Sequence, residues 1–197
     1  QGVSSAASDV YKRQTIRDRY GKTKIAIFEI NAILEDLRMQ VIGGIIGCID
    51  IWELAIIPML LNNSETWVDM AQENINELEE LQNLFFRTIL QVPISTPKPA
   101  ICWDTATLKM KHRIWGRKLN LCKYLQQMSD DSLAKMVFTE QQKIQFPGLI
   151  QECKIIAKEL NITKELEDEN ISCKEFKMIV KKEIKRYNEK VLRFELK

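Results

Sequence analysis

The chain has 197 residues and a mass of 23.0 kDa, room for one substantial domain or two small ones. Apolar residues make up 45% and charged residues 28%, a balance that excludes wholly disordered, collagen-like and low-complexity chains. Lys plus Arg number 29 against 27 for Asp plus Glu, giving +2 and a pI near 8.2, so any nucleic-acid surface must be local.

Residues 1–22 begin with small polar residues and continue through a charged run from Lys12 to Arg19 without helical apolar spacing, and are expected to form a disordered tail. The stretch Gly2 to Gln14 resembles a translated sequencing-adaptor scar, and with no initiator Met the chain is expected to be a fragment. From Thr23, Ile27, Ile30, Leu34 and Leu37 recur at helical steps, with Gly43-Gly44 as the expected stop. Asp50 and Glu53 then read as an N-cap pair opening a second helix through Trp52, Leu54, Ile57 and Leu61, which Pro58 kinks or divides.

Asn74 and Glu77 open a third helix, whose wide stripe runs through Ile75, Leu78, Leu81, Phe85 and Ile89. Pro93, Pro97 and Pro99 follow closely, and predict an extended, stiff Pro-rich connector over 93–104. A long helix is predicted from about Thr105 to Met128, with Leu108, Trp115, Leu119, Cys122 and Leu125 in line. Asp130-Asp131 read as the N-cap of a short helix containing Leu133 and Val137, and Phe146-Pro147-Gly148 as a turn. Leu149, Cys153, Ile156 and Leu160 form another helical series. Beyond an acidic connector, Ser172 and Glu175 have the spacing of a capping box, opening a last helix with Phe176, Val180, Ile184, Tyr187 and Val191 on one face. No strand pattern or internal repeat occurs. The expected fold is all-α, an irregular multi-helix bundle of about six to eight helices with a Pro-rich hinge, divided into helical regions 23–92 and 105–197.

Little here carries reaction chemistry. Cys48, Cys102, Cys122, Cys153 and Cys173 stand far apart without a C-x-x-C pair, and the single His112 adds no zinc-finger spacing; they read as small buried apolar groups. Their odd number, with no secretory signal, fits an intracellular setting, cytoplasmic or nuclear. Gly43-Gly44-x-x-Gly47 lacks the Lys-Ser/Thr of a phosphate loop. His112 has no nucleophile or carboxylate spaced to pair with it and reads as a polar surface residue. The apolar stretch Ile45–Leu61 is interrupted by Asp50, Glu53 and Pro58, so no membrane span is expected.

The strongest local signal is electrostatic. Lys109, Lys111, Arg113, Arg117, Lys118 and Lys123 lie within one stretch that contains no Asp or Glu. On a helix Lys109, Arg113 and Arg117 fall one turn apart, where they can meet successive phosphates while Trp115 and Leu119 face a core. The alternative is a solvated face near the acidic start of the third helix. A second group, Lys174, Lys177, Lys181, Lys182, Lys185 and Arg186, is interrupted by Glu175 and Glu183 and reads as a charged outer face. Trp52, Trp67, Trp103 and Trp115 sit in apolar spacing and read as core.

The run Ile57-Pro58-Met59-Leu60-Leu61-Asn62-Asn63-Ser64-Glu65-Thr66-Trp67 and the series Leu78, Leu81, Gln82, Asn83, Phe85, Arg87 and Leu90 resemble the segment after the polymerase core in reverse transcriptases (RNA-directed DNA polymerases) of non-LTR retrotransposons. Pro93 to Pro97, Leu108 to Ile114, Lys118 to Asn120, Asp131 to Lys135 and Phe146 to Leu149 continue the likeness in order, over about Phe28 to Leu160. The resemblance implies a thumb-like and connecting helical region that binds a template-primer duplex of RNA and DNA through its backbone. It also implies a parent polymerase that uses Mg²⁺ held by a Tyr/Phe-x-Asp-Asp box, which this sequence lacks. The chain alone is therefore expected to be inactive and to hold no cofactor, with the missing palm as a partner. The alternative is a helical protein-interaction module, non-enzymatic in function.

Overall fold

The computed structural model describes residues 14, 17–30, 32–33, 44–144 and 148–197, and among them every regular element is helical. The all-α expectation holds. Most of the expected N-terminal tail lies outside the described residues, as do Leu34, Leu37, Gly43 and the Phe146-Pro147 part of the predicted turn. Residues 17–22 of that tail are helical, forming the start of α1 (17–30).

The chain divides into two compact units, one comprising residues up to Asn62 together with Met70–Met110, the other comprising Asn63–Asp69 with Lys111–Lys197. In the first unit, α2 (Gly44–Ile51) passes directly into a π-helical turn, Trp52–Ile56, and then into α3 (Ile57–Leu60). The predicted break at Asp50 is absent because the helix continues through it. Pro58 explains the π turn: it donates no backbone hydrogen bond and its ring crowds the carbonyl four residues back. The wider winding ahead of it, with Ile57 N–H bonded to Trp52 O, absorbs that conflict without ending the helix.

α4 (Gln72–Leu90) buries Ile75, Leu78, Leu81, Phe85, Phe86 and Ile89, as the stripe predicts. Phe85 stacks on Trp52 with ring centroids 5.1 Å apart, and Phe86 meets Phe85 edge to face at 5.2 Å. Gln91, left-handed at φ 51°, ends α4 with its N–H on the carbonyls of Arg87 and Thr88. The stiff connector expected over 93–104 is instead a short turn followed by α5 (Lys98–Asp104). Pro99 falls in the first helical turn, where its missing N–H has no helical partner to lose and its fixed φ suits a helix. Buried Gln82 fastens the end of this segment to α4: its Nε2 donates to Thr107 Oγ1 at 3.0 Å and to the Leu108 carbonyl at 3.1 Å. Trp52 is fully buried, but Trp103 is 39% exposed, so apolar spacing misplaces that ring in the core.

The second unit is built on α6 (Met110–Gln126), whose residues from Lys111 belong to it, with α7 (Leu133–Lys143), α8 (Leu149–Glu159), α9 (Thr163–Glu167) and α10 (Cys173–Glu195). Trp67 is buried there, as are Trp115, Leu119, Cys122, Cys153, Ile156 and Leu160. α7 opens at Ser132 rather than at Asp130-Asp131 and contains Leu133 and Val137 as expected; its buried residue is Phe138, while those two are exposed. α10 starts with the complete capping box, Ser172 accepting from the Glu175 N–H while the Glu175 carboxylate accepts from the Ser172 N–H. Its buried row is Phe176, Val180, Ile184, Asn188 and Leu192. Gly116 allows α10 to lie close to α6: a Cβ there would stand 3.0 Å from Ile184 Cδ1.

Candidate nucleic-acid interface

α6 holds five of the six basic residues that the sequence offers as phosphate contacts, and the structure sorts them into two sets. Ile114, Trp115, Leu119 and Cys122 are buried, and so are Lys118 and Lys123. A helix enclosed over so much of its circumference must take some of its polar positions inside, and a buried ammonium then needs partners. Lys123, 1% exposed, finds them at the C-terminal end of α9: its Nζ donates to the Asp168 carbonyl at 2.6 Å and to those of Glu165 and Leu166 at 3.3 Å. The ammonium also lies 5.3 Å from the centroid of the Phe176 ring. Carbonyls at the end of a helix carry the negative end of its dipole, so Lys123 acts as a cationic cap supplied from another helix.

Lys118, 5% exposed, forms an ion pair and hydrogen bond with Glu152 of α8, whose other oxygen accepts from the Asp69 N–H at 2.6 Å. One carboxylate thus ties the 63–69 segment, α6 and α8 together. Lys118 and Lys123 are structural cations whose charge is spent inside the unit.

Lys111, Arg113 and Arg117 are half-buried. Lys111 Nζ lies 4.8 Å from the Trp115 ring centroid, and Arg117 faces Glu65 at 3.8 Å with about a third of its side chain exposed. Pairs of this kind contribute at most about 1 kcal/mol, so a phosphate can take the place of the carboxylate. Lys109 precedes α6 and belongs to the first unit. The single turn-spaced row expected from Lys109 through Arg117 therefore has only its last two members on the second unit's helix.

His112 corrects the expectation of a surface residue: it is 3% exposed. Its Nδ1 lies 2.7 Å from Oδ1 of buried Asn188, and its ring packs at 5.3 Å against both Trp115 and Tyr187. Lys111 and Arg113 on either side suggested exposure, yet successive residues of a helix point about 100° apart and need not share an environment. The partner was legible: Asn188 continues the four-residue series Phe176, Val180, Ile184, where the sequence reading stepped to Tyr187 instead.

Cavities open on the described residues of this unit. One, of about 370 Å³, is lined by Glu159, Glu165, Glu183, Tyr187 and Lys190 among others. Tyr187 donates to Glu159 there, and burial, with that hydrogen bond and the carboxylate's charge, pushes the phenol up to about 12. Another, of about 210 Å³, reaches Cys122, beside Lys135, Lys154 and Glu167. Cys122 hydrogen-bonds Cys153 across from α8, and that bond, together with burial, holds the Cys153 thiol well above its ordinary range. Four of the five cysteines are buried and all are free thiols.

Among the described residues no group of three or more His, Cys, Asp or Glu side chains is arranged to hold a metal ion. Asp130 and Asp131 are exposed in the turn before α7. No described helix is long and apolar enough to cross a membrane. Compared with known protein families, with curated proteins and with solved structures, the chain finds no match in any of the three.

Proposed function

We propose that the chain is a duplex-binding helical region, the thumb-like and connecting part of a non-LTR retrotransposon reverse transcriptase that follows the polymerase core. The observation that carries this reading is the acid-free run of α6, in which Lys111, Arg113 and Arg117 remain partly exposed while their neighbours anchor the helix rigidly. A helix fixed by Trp115, Leu119 and two buried cations is preorganised to present charge without ordering a flexible loop. The ordered succession of residues from Ile57 to Leu149 supports the same parentage.

In this reading the chain contributes position and charge, and the Mg²⁺ chemistry belongs to the palm of the parent protein. The sequence supports this division, having no Tyr/Phe-x-Asp-Asp box for the Mg²⁺ ions. Primer extension with pure protein, an RNA template and Mg²⁺ is expected to give no incorporation above background. For binding, the test is anisotropy with an RNA–DNA hybrid and a B-DNA duplex over a range of salt. Replacing Lys111, Arg113 and Arg117 together by Gln is expected to flatten the duplex slope of log affinity against log salt by up to about 0.9 per lost contact. An unchanged slope would return these side chains to a purely structural role.

A second reading, a helical protein-interaction module, is favoured by α7, which leaves Leu133, Met136 and Val137 exposed at 76%, 55% and 48%. Binding through that face would persist at high salt, where phosphate contacts fail.

A further inference from the structure

We propose that the outer face of α10 is a second phosphate-contacting surface of the same unit, one that takes the backbone of a nucleic acid. Lys174, Lys177, Lys181 and Lys185 recur at steps of three and four residues and are all exposed, with exposed Lys182 beside them. At 1.5 Å per residue the stripe is about 16 Å long, the axial rise of roughly four to five phosphates in one B-form strand. Among the described residues, no carboxylate forms an ion pair with these five lysines.

The acids that interrupt this region of the sequence are displaced in space. Glu183 lies on the row of Ile179 and Tyr187, bordering the 370 Å³ cleft with Glu159 and Glu165, and pairs with Arg186 at 3.7 Å. Glu175 is engaged in the capping box. Glu183 thus turns toward the cleft while the five lysines face solvent, and exposed Glu189 stands one turn beyond the end of the stripe, four residues after Lys185. The helix is also held firmly: Phe176, Val180, Ile184 and Leu192 are buried, and the Ser172 cap fixes its first turn. A fixed row of ammonium groups suits a regularly repeating anion, and Lys ammoniums read charge, not base identity, so binding here is indifferent to sequence.

This inference rests on the reading above only for the class of polyanion. The experiment uses the full chain and compares three proteins on one B-DNA duplex and one RNA–DNA hybrid across salt: the wild type, the α6 variant (Lys111→Gln, Arg113→Gln, Arg117→Gln) and an α10 variant (Lys177→Gln, Lys181→Gln, Lys185→Gln). Because the three α10 positions are exposed, circular dichroism and the thermal midpoint should be unchanged. A Lys→Arg triple at the same sites, which retains the charge, should bind like wild type. The expected result is a shallower duplex salt slope for the α10 variant, by up to about 0.9 per lost contact, on unrelated sequences alike. A fall confined to the α10 variant keeps this inference and removes the α6 reading; a fall confined to the α6 variant does the reverse. Absence of duplex and hybrid binding by wild type overturns both, and α10-dependent binding to anionic phospholipid vesicles without nucleic-acid binding overturns the choice of partner.

Discussion

α6 and α10 are both lysine-rich, and they use the charge in opposite ways. α6 carries the acid-free run, yet Lys118 and Lys123 are turned inward, onto Glu152 and onto the carbonyls at the end of α9. α10 mixes its lysines with glutamates, yet Lys177, Lys181, Lys182 and Lys185 are all exposed. The difference follows from how much of each helix is enclosed. α10 is amphipathic, with one buried row and a broad open face, so its cations go to solvent by default. α6 is flanked over most of its circumference, and a lysine at an enclosed position must find oxygen partners or unfold the site. Freedom from acids along a sequence thus measures neither exposure nor available charge.

The largest effect expected in the molecule sets the scale for that contrast. Phe85→Ala, in the aromatic cluster of the first unit, should cost about 3 to 5 kcal/mol, since the ring is fully buried between Trp52 and Phe86. Urea denaturation followed by circular dichroism would measure it. An unchanged midpoint would mean that the ring is not part of a packed core.

Next in size comes the direct comparison of the two helices. Lys123→Ala removes a buried charged donor from three carbonyls, one buried and two part-buried, and should destabilise the second unit by about 2 to 3 kcal/mol. Lys181→Ala, on the open face of α10, should stay within about 0.5 kcal/mol. Lys123→Met tests whether packing alone suffices: it fills the space but leaves the carbonyls without a donor, so it should recover only part of the loss. Equal stabilities for the two alanine variants would remove the distinction between structural and surface cations.

The start of α10 provides a smaller test of how firmly its outer face is held. Ser172→Ala removes the hydrogen bond to the first turn and should cost about 1 kcal/mol. The bonds that Ser172 makes to Glu175 hold its carboxyl below the usual carboxylate range. A depressed carboxyl contributes stability above its unfolded value, lost as pH falls through the folded one, so the difference between wild type and Ser172→Ala should narrow in acid. A gap independent of pH would detach the carboxylate from the cap.

How far the sequence could be read depends on what kind of signal each feature leaves. Helices and their faces were legible where apolar residues repeat: α4 buries the predicted stripe, and the capping box at Ser172 is present as spaced. Proline was legible as a conflict but not as a solution, because a π turn at Pro58 and a first-turn position at Pro99 both leave the helix intact. Least legible were polar groups inside the second unit. The partners of Lys123 are backbone carbonyls more than forty residues away, which have no residue-type signature, and His112 meets Asn188 across a separation of 76 residues. For the candidate interface the sequence identified charge correctly by type, while exposure was decided by packing that only the assembled helices define.

An effect confined to alkaline pH concerns Tyr187, on the flank of α10 turned toward the cleft, where the phenol donates to Glu159 and is held up to about 12. An ordinary tyrosine ionises near 10. Because the folded value is the higher one, the neutral phenol is favoured by the fold; its contribution is complete below about pH 10 and is lost as pH rises toward about 12. The sign reflects the local charges: the phenolate would lose its donated hydrogen and stand against the Glu159 carboxylate. Tyr187→Phe removes the titrating group but keeps the ring against His112 and Trp115. The stability advantage of wild type over Tyr187→Phe should therefore be constant at neutral pH and shrink between about pH 10 and 12, as read from urea midpoints of both proteins. If the two proteins lost stability in parallel over that range, the phenol and the Glu159 carboxylate would not interact across the cleft-facing flank of α10.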